Sequence, residues 1–293
     1  MMLTSAVRRL GLSRSYSWCE RLARTEAGNF YVAFRILPRE QRRSMCALYA
    51  FMRIADDLAD APGPVEAKQA ALSEYRRGLT DALSGHYTQT LHAALHHTVE
   101  TYQVPVEYLE AVLDGVTMDL APLSIGTFAD LYRYCYHVAS AVGLACIHVW
   151  GFHDERAKLY AEKAGIAFQL TNILRDLGED AARDRVYLPQ EDLERFGCTA
   201  EQIRRGERND RFRELMRFEA ARAHAYYEEA RPLVPLLSPE GQAVYLVMER
   251  TYRGLLTAIE RRDYDVFSSR VRLSTWWKMS LLLRSVPVRW GWV

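Results

Sequence analysis

The sequence predicts an all-α chain. Three observations carry that prediction. Apolar residues recur at helical spacing through eight long stretches, turn-forming residues punctuate the gaps, and almost no alternating strand pattern occurs. The first stretch, 39–60, starts behind Pro38 and stops before Pro62-Gly63-Pro64. The second, 65–84, closes at Ser84-Gly85, and the third, 88–103, at Val104-Pro105. Pro105 also opens the fourth, 105–120, where a missing N–H costs little in a first turn. The fifth, 127–151, takes Thr127 as a plausible N-cap and ends at Gly151-Phe152-His153. The sixth and seventh, 154–178 and 209–230, are followed later by the proline-rich 232–235. Ser238 is the expected N-cap of the last, 238–262. No repeat, low-complexity tract or linker divides the chain, so one domain is expected over 1–293.

Two of these stretches carry aspartates at helical spacing. The first contains Arg53-Ile54-Ala55-Asp56-Asp57-Leu58-Ala59-Asp60. The second runs from Gln169 through Asn172 and Asp176 to Asp180. Asp56 and Asp60, like Asp176 and Asp180, stand four residues apart, so each pair projects from one helix face. Like charges so placed repel and call for a cation or for solvent. One such ladder is ordinarily a solvated face. Here, however, both close long apolar stretches, 45–54 and 160–174. Gln169, Asn172, Asp176 and Asp180 form a polar stripe on a helix otherwise rich in Ala, Ile, Phe and Leu. Buried polar groups need partners, and a filled ligand cavity would supply them. Carboxylates without His or Cys suit a hard cation such as Mg²⁺, which commonly bridges carboxylates to substrate phosphates.

Composition narrows the function classes. Lys plus Arg total 38 against 37 Asp plus Glu, so nothing points to nucleic acid as partner. Hydrophobic residues make up 49%, enough for a substantial core. The five cysteines form no CxxC pair. They read as free thiols of a reducing compartment, with Cys46, Cys135 and Cys146 as small core residues. No run has transmembrane length and no signal-peptide core follows the N-terminal arginines, so a cytoplasmic protein is expected.

The second acidic segment continues through Arg183-Asp184-Arg185-Val186-Tyr187-Leu188-Pro189. The run Gly165-x3-Gln169-x2-Asn172-Ile173-x-Arg175-Asp176-x3-Asp180, then Arg185-x-Tyr187-x-Pro189, resembles the signature of squalene and phytoene synthases. The stretch from Asn29-Phe30-Tyr31 and Leu37-Pro38 through Ala47-Leu48-Tyr49-Ala50-Phe51 to Asp60 resembles the family's other block. The resemblance covers about 16–272, leaving 273–293 as a tail. It implies an isoprenoid-synthase helical bundle around a central apolar cavity, and a prenyltransferase activity. Family members join two prenyl diphosphates head to head: one diphosphate leaves, the second molecule's double bond attacks the allylic cation, and a proton is lost.

Carried over by position, the resemblance makes Asp56, Asp60, Asp176 and Asp180 ligands of two or three magnesium ions, with Asn172 beside them. Arg53, Tyr49, Tyr252 and Arg270 become diphosphate contacts, and the loop arginines Arg183 and Arg185 could reach the same anion, since a guanidinium fork matches phosphate oxygens. Gln169 lines the cavity near the reacting carbons, and Asp119 joins the catalytic set. Phe30, Phe34, Tyr49 and Phe51 offer aromatic faces to a passing cation, or simply pack in the core. The stretch 134–143 resembles the substrate-pocket helix, which makes Tyr134, Val138, Ala139, Val142 and Gly143 substrate contacts, while the small residues Ala139, Ser140, Ala141 and Gly143 leave room for an isoprenoid chain.

The first expectation for product is presqualene diphosphate or a squalene-type C30 compound from two farnesyl diphosphates, because Asn29-Phe30-Tyr31 followed by Ala33-Phe34 resembles bacterial presqualene diphosphate synthases of hopanoid pathways. The alternative is phytoene from two geranylgeranyl diphosphates, as in carotenoid synthesis. A non-catalytic assembly factor of the same fold is the third reading, opposed by the intact aspartates. NADPH is needed only if the intermediate is reduced to squalene. The tail, with Trp276-Trp277-Lys278 and Arg289-Trp290-Gly291-Trp292, suits peripheral membrane contact on the inner face, or folds back on the globule.

Overall fold

The computed structural model describes residues 2–121 and 125–273; the side chains of 2–10, 29, 30 and 32 fall outside the description, as does the whole of 274–293. The tail and its expected membrane contact therefore lie outside the described residues. Long helices carry the architecture, as the periodicity predicts. α1 (Met2–Glu26) and a short α2 (Asn29–Phe34) precede α3 (Arg39–Asp60). α1 runs parallel to α3, since Tyr16 meets Ser44 and, further along both helices, Glu26 meets Arg53. Ser15 ties α1 across the fold: its Oγ donates to the Leu91 carbonyl at 3.2 Å and accepts the Ala94 N–H at 2.9 Å. Periodicity misses α1 because its polar residues are spread around the helix and long-range bonds fix it.

After α4 (Val65–Leu83), a helix was expected from 88, but α5 runs His92–Tyr102. The residues before it turn instead, the Thr88 and Gln89 N–H groups donating to His92 Nδ1. α6 (Val106–Met118) follows Pro105 as expected. The stretch 127–151 is three pieces rather than one: α7 (Phe128–Cys135), a π-helical turn (Tyr136–Ser140) and α8 (Ala141–Trp150). Thr127 does cap α7, within a reciprocal pair of bonds to Asp130. In the π turn the Ala141 N–H reaches back five residues to the Tyr136 carbonyl, which rotates everything after it relative to α7.

α9 (Arg156–Ala181) turns back along α8 and packs on α8, α12 and α13. Its closest approach is at Gly165, where an added Cβ would stand 2.4 Å from Ser140 Cα, so no larger residue fits without moving the π turn. Ser140 Oγ seals that contact by donating to the Glu162 carbonyl at 2.8 Å. Short helices α10 (Gln190–Arg195) and α11 (Ala200–Arg204) lead to α12 (Asp210–Ala230), a 3₁₀ turn (Arg231–Leu236) and α13 (Pro239–Arg261). Ser238 caps α13 by accepting the Gly241 N–H at 3.1 Å.

Two large apolar clusters form the core, one around α1, α3, α5 and α8, the other around α7, α9 and α12; Phe168 packs against both. All five cysteines are free and buried. Among the described residues there is no strand, only an isolated bridge between Phe152 and Leu237. No described helix is long and apolar enough to cross a membrane.

Candidate active site

Between α3, α8, α9 and α13 lies a cavity of about 540 Å³. α3 lines it with Met45, Leu48, Tyr49, Met52, Arg53 and Asp56, one face of a helix at steps of three and four. The π turn and α8 supply Val138, Ala139, Val142 and Gly143, then Cys146, Ile147 and Trp150. α9 contributes Ala161, Ala164, Gly165, Phe168, Gln169, Asn172 and Arg175, and α13 contributes Tyr245, Met248 and Tyr252. Phe34 reaches the cavity from α2; the side chain of Phe30 lies outside the described residues. Phe51 is core, stacked on Tyr75 at 5.3 Å. The wall is largely apolar, and charge gathers at the end marked by Asp56, Arg53 and Arg175.

At that end Asp56 keeps an exposed face, yet surrounding protein crowds its carboxyl. This desolvation, opposed by Arg53 and reinforced by Asp60 and Asp57, pushes its pKa up to about 6. Asp180 is likewise pushed up to about 6, first by burial and then by Asp176, with Asp119 adding. Each ladder therefore feels the same third carboxylate, because Asp119 also raises Asp56 and is itself raised by Asp60. Asp119 ends α6 and joins the loop after α9. Tyr134 and Tyr187 each donate to its Oδ1 at 3.1 Å, and Arg185 donates to its backbone carbonyl at 3.2 Å. Burial raises Asp119, and those two phenols hold it back.

Tyr134 is thus not on the cavity wall. It is buried, with its ring stacked on Tyr187 at 5.1 Å. Uninterrupted helix would put 134 on the face of 138 and 142. The π turn rotates that face, which is why Val138, Ala139, Val142 and Gly143 reach the cavity and Tyr134 reaches Asp119.

Asp60, Asp176, Asp180, Arg185 and Arg270 also stand outside the cavity lining, around its charged end. Asp176 is held by arginines on two sides: Arg175 Nε donates to it at 2.7 Å, and Arg270 donates through Nε at 3.0 Å and Nη2 at 3.1 Å. Arg53 pairs with Asp57 at 2.8 Å and Glu26 at 3.9 Å, while its buried Nε has no partner. Asn172 donates to Gln169 Oε1 at 3.2 Å, and its own buried Oδ1 is unpartnered.

These residues fit a hard cation in donor type: crowded carboxylates, with the pKa of Asp56 and Asp180 raised, and an orphaned amide oxygen, with no nitrogen or sulfur ligand. Among the described residues, however, no three acidic, His or Cys side chains stand close enough together to hold a metal by themselves. Oxygens from a substrate diphosphate would have to complete the shell, as is usual for magnesium.

Sequence reasoning missed several wall residues. Phe168 stacks on Tyr252 at 4.6 Å, and Tyr245, Met248, Trp150 and Glu26 also line the cavity. Arg175 and Tyr187 stood within the recognised motif, and their adjacency to Asp176 and Arg185 was the available signal.

The squalene/phytoene synthase family model matches residues 23–277. The chain is 37% identical over 266 residues to a chloroplastic phytoene synthase of Daucus carota, spanning 88% of this chain and 67% of that protein. It is 34% identical to the 15-cis-phytoene synthase of Synechococcus elongatus, spanning 92% of each. Among solved structures it resembles a ligand-bound dehydrosqualene synthase, with a TM-score of 0.86 and 29% identity over 95% of this chain and 97% of that one. The chain belongs to the squalene/phytoene synthase family and is a prenyltransferase.

Proposed function

We propose that this enzyme joins two geranylgeranyl diphosphates head to head, releases both diphosphates, with two protons, at the charged end of the cavity, and yields phytoene. The observation that carries the chemistry is the polarity of the cavity: carboxylates, arginines and amides at one end, an apolar wall beyond. Support for the C20 substrate comes from relatives named phytoene synthases, 34% and 37% identical. They favour the alternative product over the C30 compound expected first. The likeness to a dehydrosqualene synthase keeps C30 as the second reading.

In this reading Asp56, Asp60, Asn172, Asp176 and Asp180 hold magnesium. The metal, when bound, neutralises charge on the departing diphosphate oxygens. Arg53 and Arg270 change partners, from Asp57, Glu26 and Asp176 to the diphosphate, because a guanidinium fork matches phosphate oxygens. Tyr49 and Arg185 flank the same anion. The stacked rings of Phe168 and Tyr252 offer a π face to positive charge on the allylic carbons. Gln169 and Asn172 orient one another beside it, and Phe34, Val138, Ala139, Val142 and Gly143 keep water from the chain. Phytoene formation consumes no NADPH.

The test is a product assay with purified protein and Mg²⁺, given radiolabelled farnesyl or geranylgeranyl diphosphate with and without NADPH. A C40 hydrocarbon from geranylgeranyl diphosphate, formed without NADPH, supports the proposal. A C30 product from farnesyl diphosphate, with nothing from the C20 substrate, transfers the function to the second reading.

A further inference from the structure

Going beyond the condensation itself, we propose that Trp150 is the floor of the cavity and sets the length of prenyl chain accepted. This deepens the C20 reading and rests on it. Trp150 closes α8, is 3% exposed, and lines the cavity. Two helices measure its distance from the charged end. On α3, Asp56 marks that end, and Gln41, fifteen residues earlier, donates to the Trp150 carbonyl at 3.4 Å. At the α-helical rise this is ~22 Å. On α13, Tyr252 faces Asn172 and Arg175, and Gly241, eleven residues earlier, abuts Trp150. That gives ~16 Å.

An extended prenyl chain advances about 5 Å per isoprene unit, four bonds of ~1.5 Å projected on the chain axis. The two spans bracket a C20 chain, at about 20 Å, whereas a C15 chain, at about 15 Å, falls short of both. The wall at mid-depth mixes small residues, Gly143, Ala161, Ala164 and Gly165, with the larger Met52, Tyr245 and Met248 of α3 and α13. Trp150, by contrast, is fixed. Ser238 Oγ donates to its carbonyl at 2.5 Å, and an added Cβ at Gly241 would stand 3.0 Å from its own Cβ. Its indole N–H is buried without a partner, so no polar bond competes with the ring's role as an apolar stop.

Full-length wild type, Trp150→Phe and Trp150→Ala would be assayed with Mg²⁺ on C15, C20 and C25 allylic diphosphates, each alone, with circular dichroism to confirm folding. The expected result is a rise of roughly tenfold or more in kcat/KM for C25 relative to C20 in Trp150→Ala, with a smaller rise in Trp150→Phe, the scale that a pocket contact of this size controls. An unchanged C25/C20 ratio in a folded variant overturns the proposal, as does a shift toward C15. Should Trp150→Ala fail to fold, the Phe variant decides by the same ratio. The parent reading fails separately: a wild type that uses only C15 refutes the phytoene product, and the floor proposal then requires the same upward step, from C15 to C20, in the variants.

Discussion

Asp176 shows how much of the site is decided by single side chains. It has a guanidinium on either side, Arg175 and Arg270, and this internal neutralisation offsets the repulsion of its own ladder. Arg270→Ala therefore removes a proposed diphosphate contact and leaves Asp176 with Arg175. We expect KM to rise by roughly tenfold with a smaller change in kcat, the pattern of a lost binding contact, read by steady-state kinetics. In the proposed reaction, Asp56→Ala and Asp176→Ala act on charge developing in the leaving group. Each is expected to lower kcat by about 10²–10³ or more, as for other electrostatic stabilisers, with helix content by circular dichroism unchanged. Wild-type turnover in either would remove these residues from the reaction. The aspartates were legible in the sequence because an i, i+4 pair is local. The roles of Trp150, Tyr245 and Met248 were not, because wall positions depend on which helices meet.

Elements carry the next level of specification. Thr127 and Ser238 were identified as caps from sequence, since capping chemistry spans three residues. The π turn was not, because what packs on it is long-range: Gly165 of α9 lies against Ser140 and leaves no room for a Cβ. Gly165→Ala should destabilise the fold by about 1–3 kcal/mol through overpacking, seen as a lower midpoint in thermal melts. An unchanged melting temperature would show that the contact relaxes freely. Between α10 and α12, Arg222 bridges Asp192 at 2.8 Å and Glu219 at 2.8 Å, both carboxylates being buried. Burial pushes Glu219 up to about 8, against the pull of Arg222 and with that of Asp192. Its folded pKa exceeds the ordinary value, so the folded state binds the extra proton. That contribution is full below about 4.5 and is lost as pH rises through about 8. Glu219→Gln should flatten the fall in stability between neutral pH and pH 9, measured by urea melts across that range. A slope identical to wild type would mean that Glu219 is already ionised.

At the scale of the whole molecule, two acidic helices about 120 residues apart in sequence are brought around one charged cavity end. The fold class was readable because amphipathic periodicity is local and repeated. The family was readable because its two blocks are long and ordered. The cavity's depth was not, since it depends on α3 and α13 converging on the end of α8. The central claim is that the two ladders jointly hold a diphosphate through magnesium, which would explain why no three acidic groups converge among the described residues. Calorimetric titration of a non-ionisable geranylgeranyl thiodiphosphate, with and without Mg²⁺, into wild type, Asp56→Ala and Asp176→Ala tests it most directly. The account predicts tight binding only with Mg²⁺, weakened at least tenfold by either substitution alone. Equally tight binding without the metal, or binding indifferent to one of the two aspartates, would contradict it.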